Sequence, residues 1–194
     1  VVAVNARPTQ AVPDLSELLR GEAGRQVLLA LRSAQGGERS LVVTPVDAQA
    51  ESLLQTSDWE WSLAERTLAR SEGRIGYLRL RAMVASDIAT FAREFFAHVH
   101  RDGLIIDVRS NNGGAIDSFL ISALMRRAWA FWQARSPETS PPYSNMQQAF
   151  RGHLVVLVDE GTYSDGETFA EGVKRLKLGT LIGRPTTPLA VAMK

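Results

Sequence analysis

Two short stretches hold most of the groups that could do chemistry. The first is Asp107-Val108-Arg109-Ser110-Asn111-Asn112-Gly113-Gly114, and the second is Asp159-Glu160-Gly161-Thr162-Tyr163-Ser164-Asp165-Gly166-Glu167. Each lies between a continuously apolar run and a segment of helical periodicity. A serine at the head of a helix gains from exposed amides and the positive end of the helix dipole, which favour the oxyanion charge of acyl transfer. A structural reading competes with this one. Ser164 and Glu167 form the Ser-x-x-Glu of a capping box. N-cap serines far outnumber nucleophiles, so on spacing alone the structural reading is the stronger. Gly-x-Ser-x-Gly is absent, which excludes the lipase-type elbow motif.

Gly113-Gly114 carries the same two readings. The pair either permits a tight strand-to-helix turn at positive φ, or presents amides at a helix start to a developing negative oxygen. Asp107 and Arg109 read as a structural pair that ties the loop down. A serine nucleophile also needs a base within hydrogen-bond reach, and the chain has His98, His100 and His153 to offer. The first two end a Phe-rich helical segment, where histidines more often cap or face solvent. His153 opens a strand, as an edge residue would.

The elements that must position these loops follow from periodicity. Strand, helix and hairpin are expected over residues 1–47: Val1 to Val4, a short helix after Asp14 with Glu17 in capping-box spacing, and strands Gln26–Arg32 and Ser40–Val46 joined at Gly36-Gly37. Residues 48–73 read as a connector, mixed and mainly helical. From residue 74 to 194 strands alternate with helices. Ile75, Tyr77, Leu78 and Leu80 suggest a strand, and Leu104 to Val108 and Leu154 to Val158 read as buried-type strands. Ile88, Phe91, Phe95 and Val99 recur at helical spacing. A second helix is expected through Phe119 and Leu124 as far as Trp132, a Pro-rich loop over 136–143, and a helix over Asp165–Leu176. Thr180-Leu181-Ile182 starts a last strand. This alternation predicts an α/β layer architecture with a mainly parallel sheet. In such folds ligands gather at the carboxyl ends of the strands, so both loops would face one cleft.

Bulk composition narrows the function. Hydrophobic residues make up 45% and charged residues 22%, as in an ordinary globular chain. Lys and Arg total 22 against 21 Asp and Glu, a formal charge of +1, which gives no electrostatic case for nucleic acid or an anionic membrane. There are no cysteines, hence no thiolate nucleophile, no disulfide and no cysteine-based metal site. No apolar run approaches the ~20 residues of a membrane-spanning helix, and no signal-peptide pattern is present. The start at Val1-Val2 reads as a trimmed end.

Three ordered segments carry a family resemblance. Asp-Val-Arg-Ser-Asn-Asn-Gly-Gly resembles the Asp-x-Arg-x-Asn-x-Gly-Gly run of tail-specific and tricorn-type serine proteases. Val-Leu-Val-Asp-Glu-Gly-Thr-Tyr-Ser-Asp-Gly-Glu is similar to that family's nucleophile segment, where Thr-x-Ser-Asp-Gly is characteristic of the tricorn branch. Leu-Gly-Thr-Leu-Ile-Gly-Arg-Pro-Thr resembles the continuation after the nucleophile. Ahead of them, residues 1–47 resemble the second half of a PDZ domain, without its carboxylate-binding loop.

The resemblance implies a crotonase/ClpP-like spiral core behind a partial PDZ-like β-rich module. It implies Ser164 as nucleophile and the amides of Asp165 and of Gly113, or alternatively Gly114, as the oxyanion hole. It calls for no cofactor and no metal. The substrate would be a peptide or unfolded protein, the assembly a homo-oligomer, and the compartment the cytoplasm, with the periplasm as alternative. In the tricorn branch the base is a histidine from upstream of the PDZ domain, and a supporting glutamate lies well downstream of the nucleophile. Neither is found in this chain, and Pro185–Lys194 departs from the family's glycine-rich continuation. The core is therefore expected to be incomplete towards its C-terminus, and the isolated chain to have little or no peptidase activity. Two other readings stand beside this one: a non-catalytic peptide-binding or scaffolding module on the same fold, and a crotonase-type enzyme acting on acyl thioesters.

Overall fold

The computed structural model describes residues 1–136, 142–146 and 148–187. The chain divides into two compact units, residues 1–59 and 60–194. In the first unit β1 (Ala3–Val4), β2 (Arg7–Pro8), β3 (Val27–Arg32) and β4 (Glu38–Val43) form an antiparallel sheet in the order β2-β1-β3-β4. The short helix α1 (Ser16–Leu19) starts where Asp14 Oδ1 accepts from the Ser16 amide at 2.7 Å. Leu18 then packs with Val4 and Val27 into a small core. The expected hairpin forms about Gly36-Gly37, with β4 beginning two residues earlier than its hydrophobic run suggested, because Glu38 pairs with Arg32 across the ladder.

Helix α2 (Ala48–Arg70) covers the connector as one continuous helix. Within the second unit its Glu60 carboxylate holds Arg81, Oε2 to Nη2 at 2.7 Å, and lies 3.2 Å from Arg79 Nε.

The second unit is built on four parallel strands: β5 (Ile75–Arg79), β6 (Gly103–Asp107), β9 (His153–Val158) and β10 (Thr180–Gly183), in the order β10-β9-β6-β5. Between them run α3 (Ala85–His98), α4 (Asp117–Leu124) and α5 (Asp165–Arg175), with the short antiparallel pair β7 (Phe131–Trp132) and β8 (Tyr143–Ser144). β5, β6 and β9 are apolar for the expected reason, burial within the layers, whereas β10 at the edge of the sheet is largely exposed. Ile106 and Val156 on adjacent strands, with Phe91, Phe95, Leu120 and Phe169 from the helices, are fully buried in one core. At roughly 1.5–3 kcal/mol for each such side chain, this burial is what fixes the helices on the sheet.

One expectation fails. The helix through Phe119 does not reach Trp132; it stops at Leu124, and Phe131-Trp132 pairs as a strand with Tyr143-Ser144. The segment from Arg126 carries two arginines and then alternating small and aromatic residues. Once it leaves the core it has no apolar helical face to bury, and aromatic residues suit a strand pair. Of the Pro-rich loop, residues 137–141 lie outside the described residues, as do residues 188–194 of the divergent tail.

At the carboxyl end of β6, Asp107 is fully buried and ion-paired. Arg109 donates to it from Nε at 2.9 Å, and the Tyr77 hydroxyl donates to Oδ2 at 2.8 Å. The structural pairing of Asp107 with Arg109 is thus in place. Burial alone would raise the Asp107 carboxyl, but the Arg109 and Tyr77 hydrogen bonds outweigh it and hold its pKa below the ordinary 3.8. The same burial, with the Asp107 carboxylate beside it, pushes the Tyr77 hydroxyl up. A depressed folded-state pKa contributes stability that is present above the unfolded value and lost as pH falls through the folded one. Asp107→Ala should cost about 3 kcal/mol in urea unfolding at pH 7, because it leaves Tyr77 and Arg109 unmatched. The penalty should shrink as the pH is taken below about 4; an equal penalty at pH 3 and pH 7 would contradict this account.

Candidate active site

The loops after β6 and β9 meet at the carboxyl end of the sheet, as doubly wound topology requires of adjacent parallel strands. Side chains lace them together. Asp159 accepts from the Ser110 amide at 2.7 Å and from the Ser110 hydroxyl at 3.1 Å. The Thr162 hydroxyl donates to the Val108 carbonyl at 2.9 Å, and the Tyr163 amide to the Asn111 carbonyl at 2.9 Å. The Asn111 side chain is fully buried between them; its Nδ2 donates to the Leu80 carbonyl at 2.8 Å and its Oδ1 accepts from the Gly113 amide at 2.8 Å.

Gly113 and Gly114 face different partners. A Cβ on Gly113, at φ 77°, would stand 2.7 Å from Ser164 Cβ and 3.3 Å from the Asp165 nitrogen, so the first loop lies directly against the serine. The Gly113 carbonyl accepts from Met83 and the Ala115 amide donates to Met83, both at 2.8 Å. In this parallel bridge Gly114 sits between the two bonding groups, so its own N–H and C=O turn away from Met83. Among the described residues, the amides of Gly114 and Asp165 donate no hydrogen bond, whereas that of Gly113 is taken by Asn111. Gly114 is also exposed where Gly113 is buried.

Ser164 is half-buried and precedes α5 at φ 52° and ψ −116°. An N-cap residue normally has extended backbone angles. A non-glycine residue in this region costs roughly 1–3 kcal/mol. The expected pairing with Glu167 is present: Oε2 of Glu167 accepts from the Ser164 amide at 3.0 Å, and the Thr186 hydroxyl donates to Oε1 at 2.9 Å. With both oxygens engaged, Glu167 holds the turn.

Asp165 contributes its side chain as well as its amide. Its Oδ2 accepts from the amides of Ile116 at 2.8 Å and Asp117 at 3.0 Å, so it binds the exposed start of α4 to the start of α5. Burial raises the Asp165 pKa; the two amides oppose this, and the nearby Asp117 carboxylate adds to it. Spacing alone does not reveal this bond, and it places Asn111 in the Asp-x-Arg-x-Asn-x-Gly-Gly run without giving it a role. An Asp just after the serine and an Asn two residues before a glycine were the available signals.

The three histidines lie elsewhere. His153 opens β9, whose far end leads to Ser164; at about 3.3 Å per residue six residues separate them by roughly 17 Å or more. His98, in the last turn of α3, lies against Gly76 near the start of β5 and accepts from Arg101 Nε at 2.9 Å. Burial, and then the Arg101 charge, lower its pKa. His100 follows at the same end of the sheet. Among the described residues, no group of three or more His, Asp or Glu side chains could hold a metal ion, and no helix is long and apolar enough to cross a membrane.

A model of peptidase family S41 matches residues 74–191, which include both loops. The chain belongs to peptidase family S41. Its first unit lies ahead of the part that the family model covers, yet similarity to tricorn proteins extends over it too. The chain is 36% identical over 194 residues to a tricorn protease homolog of Streptomyces coelicolor, covering 98% of this chain and 16% of that protein. It is 28% identical over 186 residues to the tricorn protease of Thermoplasma volcanium, covering 96% and 18%. The solved structure of the tricorn protease superposes with a TM-score of 0.84 at 26% identity, covering 95% of this chain and 18% of that one. The chain thus spans less than a fifth of the length of these tricorn relatives. Its α/β core with a parallel sheet is the architecture expected from the alternating pattern, and it matches the tricorn structure as the family resemblance implied.

Because the Asp165 pKa is raised, the stability linked to its protonation is present below the unfolded value and lost as pH rises through the folded one. Its ionised form therefore faces Asp117 at a cost at neutral pH. Asp165→Asn keeps an acceptor oxygen and removes that charge, so it should unfold at the same temperature as the parent at pH 7, or higher. Asp165→Ala should unfold lower, by about 1–3 kcal/mol for two amides left without an acceptor. If Asn destabilised as much as Ala in thermal melts, the charge rather than the acceptor would be what holds α4.

Proposed function

We propose that the second unit is the core of a serine peptidase, with Ser164 as the nucleophile attacking a peptide carbonyl. The strained backbone of Ser164 carries this reading. A structural N-cap gains nothing from φ 52° and ψ −116°, while a nucleophile on a sharp strand-to-helix turn gains exposure of its oxygen beside the helix amides. Attack by Oγ forms the tetrahedral intermediate. Its oxyanion is received by the amides of Asp165 and Gly114, which donate no hydrogen bond among the described residues. Gly113, the other candidate, serves through its lack of a side chain, which lets the loop approach Ser164. Collapse expels the amine and leaves an acyl-enzyme, which water hydrolyses.

The proton from Oγ needs an acceptor, and His98, His100 and His153 are all at the other end of the sheet. The similarity to tricorn proteins supports a base and a supporting glutamate supplied from other parts of a longer protein. It also supports a peptide or unfolded-protein substrate, a homo-oligomeric assembly and a cytoplasmic setting. The misplaced histidines equally favour a second reading, a peptide-binding module that uses the same fold without catalysis.

A fluorophosphonate probe separates the two. In a longer, tricorn-length protein that carries this sequence, it should label Ser164, with labelling abolished by Ser164→Ala and unaffected by His153→Gln. The 194-residue chain alone should label at least about a hundredfold more slowly, given the contribution of general base catalysis. Absence of labelling in the longer protein would leave the binding module as the reading; equal labelling of the 194-residue chain would mean that one of its own groups acts as base.

A further inference from the structure

At the end of the sheet opposite Ser164, the starts of β6 and β9 border a cleft of about 530 Å³. That is the size of a small-ligand pocket. Three of its lining side chains are guanidinium groups. Arg74, Arg101 and Arg151 face it with His100 and His153, and Asp102 is the one carboxylate lining it. Three guanidinium groups against one carboxylate is a concentration of charge that a chain of net +1 does not require.

Two of these guanidiniums are held in position. Arg151 lies over the Phe131 ring, 5.2 Å from its centroid, and no carboxylate pairs with it among the described residues. Arg101 is fixed through Nε to His98 and through Nη1 to the Gly73 carbonyl. Arg74 pairs only loosely with Asp102, at 3.8 Å. The carboxyl end of α3 also points here and would repel an anion, but the His98 carbonyl is already occupied by the Arg101 amide at 3.0 Å. Prepositioned cations with few internal partners lower the ordering cost of binding a ligand. Planar guanidinium forks suit phosphate oxygens, and spacing several around one cleft suits more than one phosphate.

We propose that this cleft binds a diphosphate group, free or carried by a nucleotide, at a site separate from Ser164. Neither the peptidase reading nor its missing base bears on the argument.

Inorganic pyrophosphate is the first probe, titrated into the isotope-labelled 194-residue chain at constant ionic strength while NMR follows the His100 and His153 imidazoles and the arginine Nε–H signals. Saturable shifts of these signals, with the Gly114 and Asp165 amides unmoved, are expected. Arg151→Gln should weaken binding at least about tenfold, the worth of one charge-assisted hydrogen bond. Arg39→Gln, on the first unit, should leave it unchanged and so excludes general attraction to a basic surface. A nucleoside diphosphate binding more tightly than pyrophosphate would identify a nucleotide as the source, and equal affinity a free phosphate compound; either supports the site. Unchanged affinity in Arg151→Gln with a native amide spectrum, equal weakening by Arg39→Gln, or no saturable shift in the millimolar range would overturn it.

Discussion

A fully buried primary amide must find partners for both of its ends, and at Asn111 those partners come from separate stretches of chain. Its Nδ2 is bound by the Leu80 carbonyl just past β5, and its Oδ1 binds the Gly113 amide. Its own carbonyl takes the Tyr163 amide from the loop before α5. Losing any one of these leaves a buried polar group unsatisfied, at a cost of about 1–3 kcal/mol. The three bonds therefore act as a geometric constraint, and they set the first loop against Ser164. The glycines follow from that constraint: a side chain at Gly113 would occupy the space of Ser164, and one at Gly114 would run into the Met83 carbonyl.

Carboxylates fix the rest of the frame, each by different physics. Asp107 is paired with Arg109 in the interior and is stabilised in its charged form. Asp159 is turned to the Ser110 and Gly161 amides, whose hydrogen bonds bring its pKa below the ordinary range despite partial burial. Asp165 holds the head of α4 but faces Asp117, and its charged form is disfavoured. The dense acidity of these two loops could suggest a metal or an acid-base pair. Its observed use is to satisfy backbone donors at strand and helix ends, which a turn-rich site has in excess.

The sheet was legible in the sequence because its central strands β6 and β9 are buried within the layers: Leu104 to Val108 and Leu154 to Val158 could be nothing but continuous apolar runs. The helix α5 and its Ser-x-x-Glu start were legible for the same local reason. The error beyond Leu124 arose where local pattern has no say. The strand pair of Phe131-Trp132 with Tyr143-Ser144 depends on a contact made across a loop, and no periodicity marks it. Spacing also left Gly113 and Gly114 equivalent. They differ only because Asn111 reaches one amide and the bridge to Met83 turns the other outward, and both are tertiary facts.

An N-cap serine and a nucleophilic serine share a sequence signature, and here both descriptions hold at once. Glu167 engages the Ser164 amide as a capping box requires, yet the backbone of Ser164 lies outside the range a cap needs. The two are compatible because the Ser164 hydroxyl, although it accepts from the Glu167 backbone in the box, keeps its own proton and a second lone pair, and catalysis would use these together with the next amide along. The bond from Glu167 supplies part of the energy that keeps the strained turn closed, as a residue in an unfavourable conformation persists only when its surroundings over-determine it. On this view the capping box is the support on which the strained turn at Ser164 depends. Oxyanion stabilisation is a matter of preorganised backbone and can be built within one α/β unit. A base must come within hydrogen-bond reach of the Oγ, and His98, His100 and His153 lie at the opposite end of the sheet. That division gives a physical reason why the proton acceptor would come from a separate part of a longer protein.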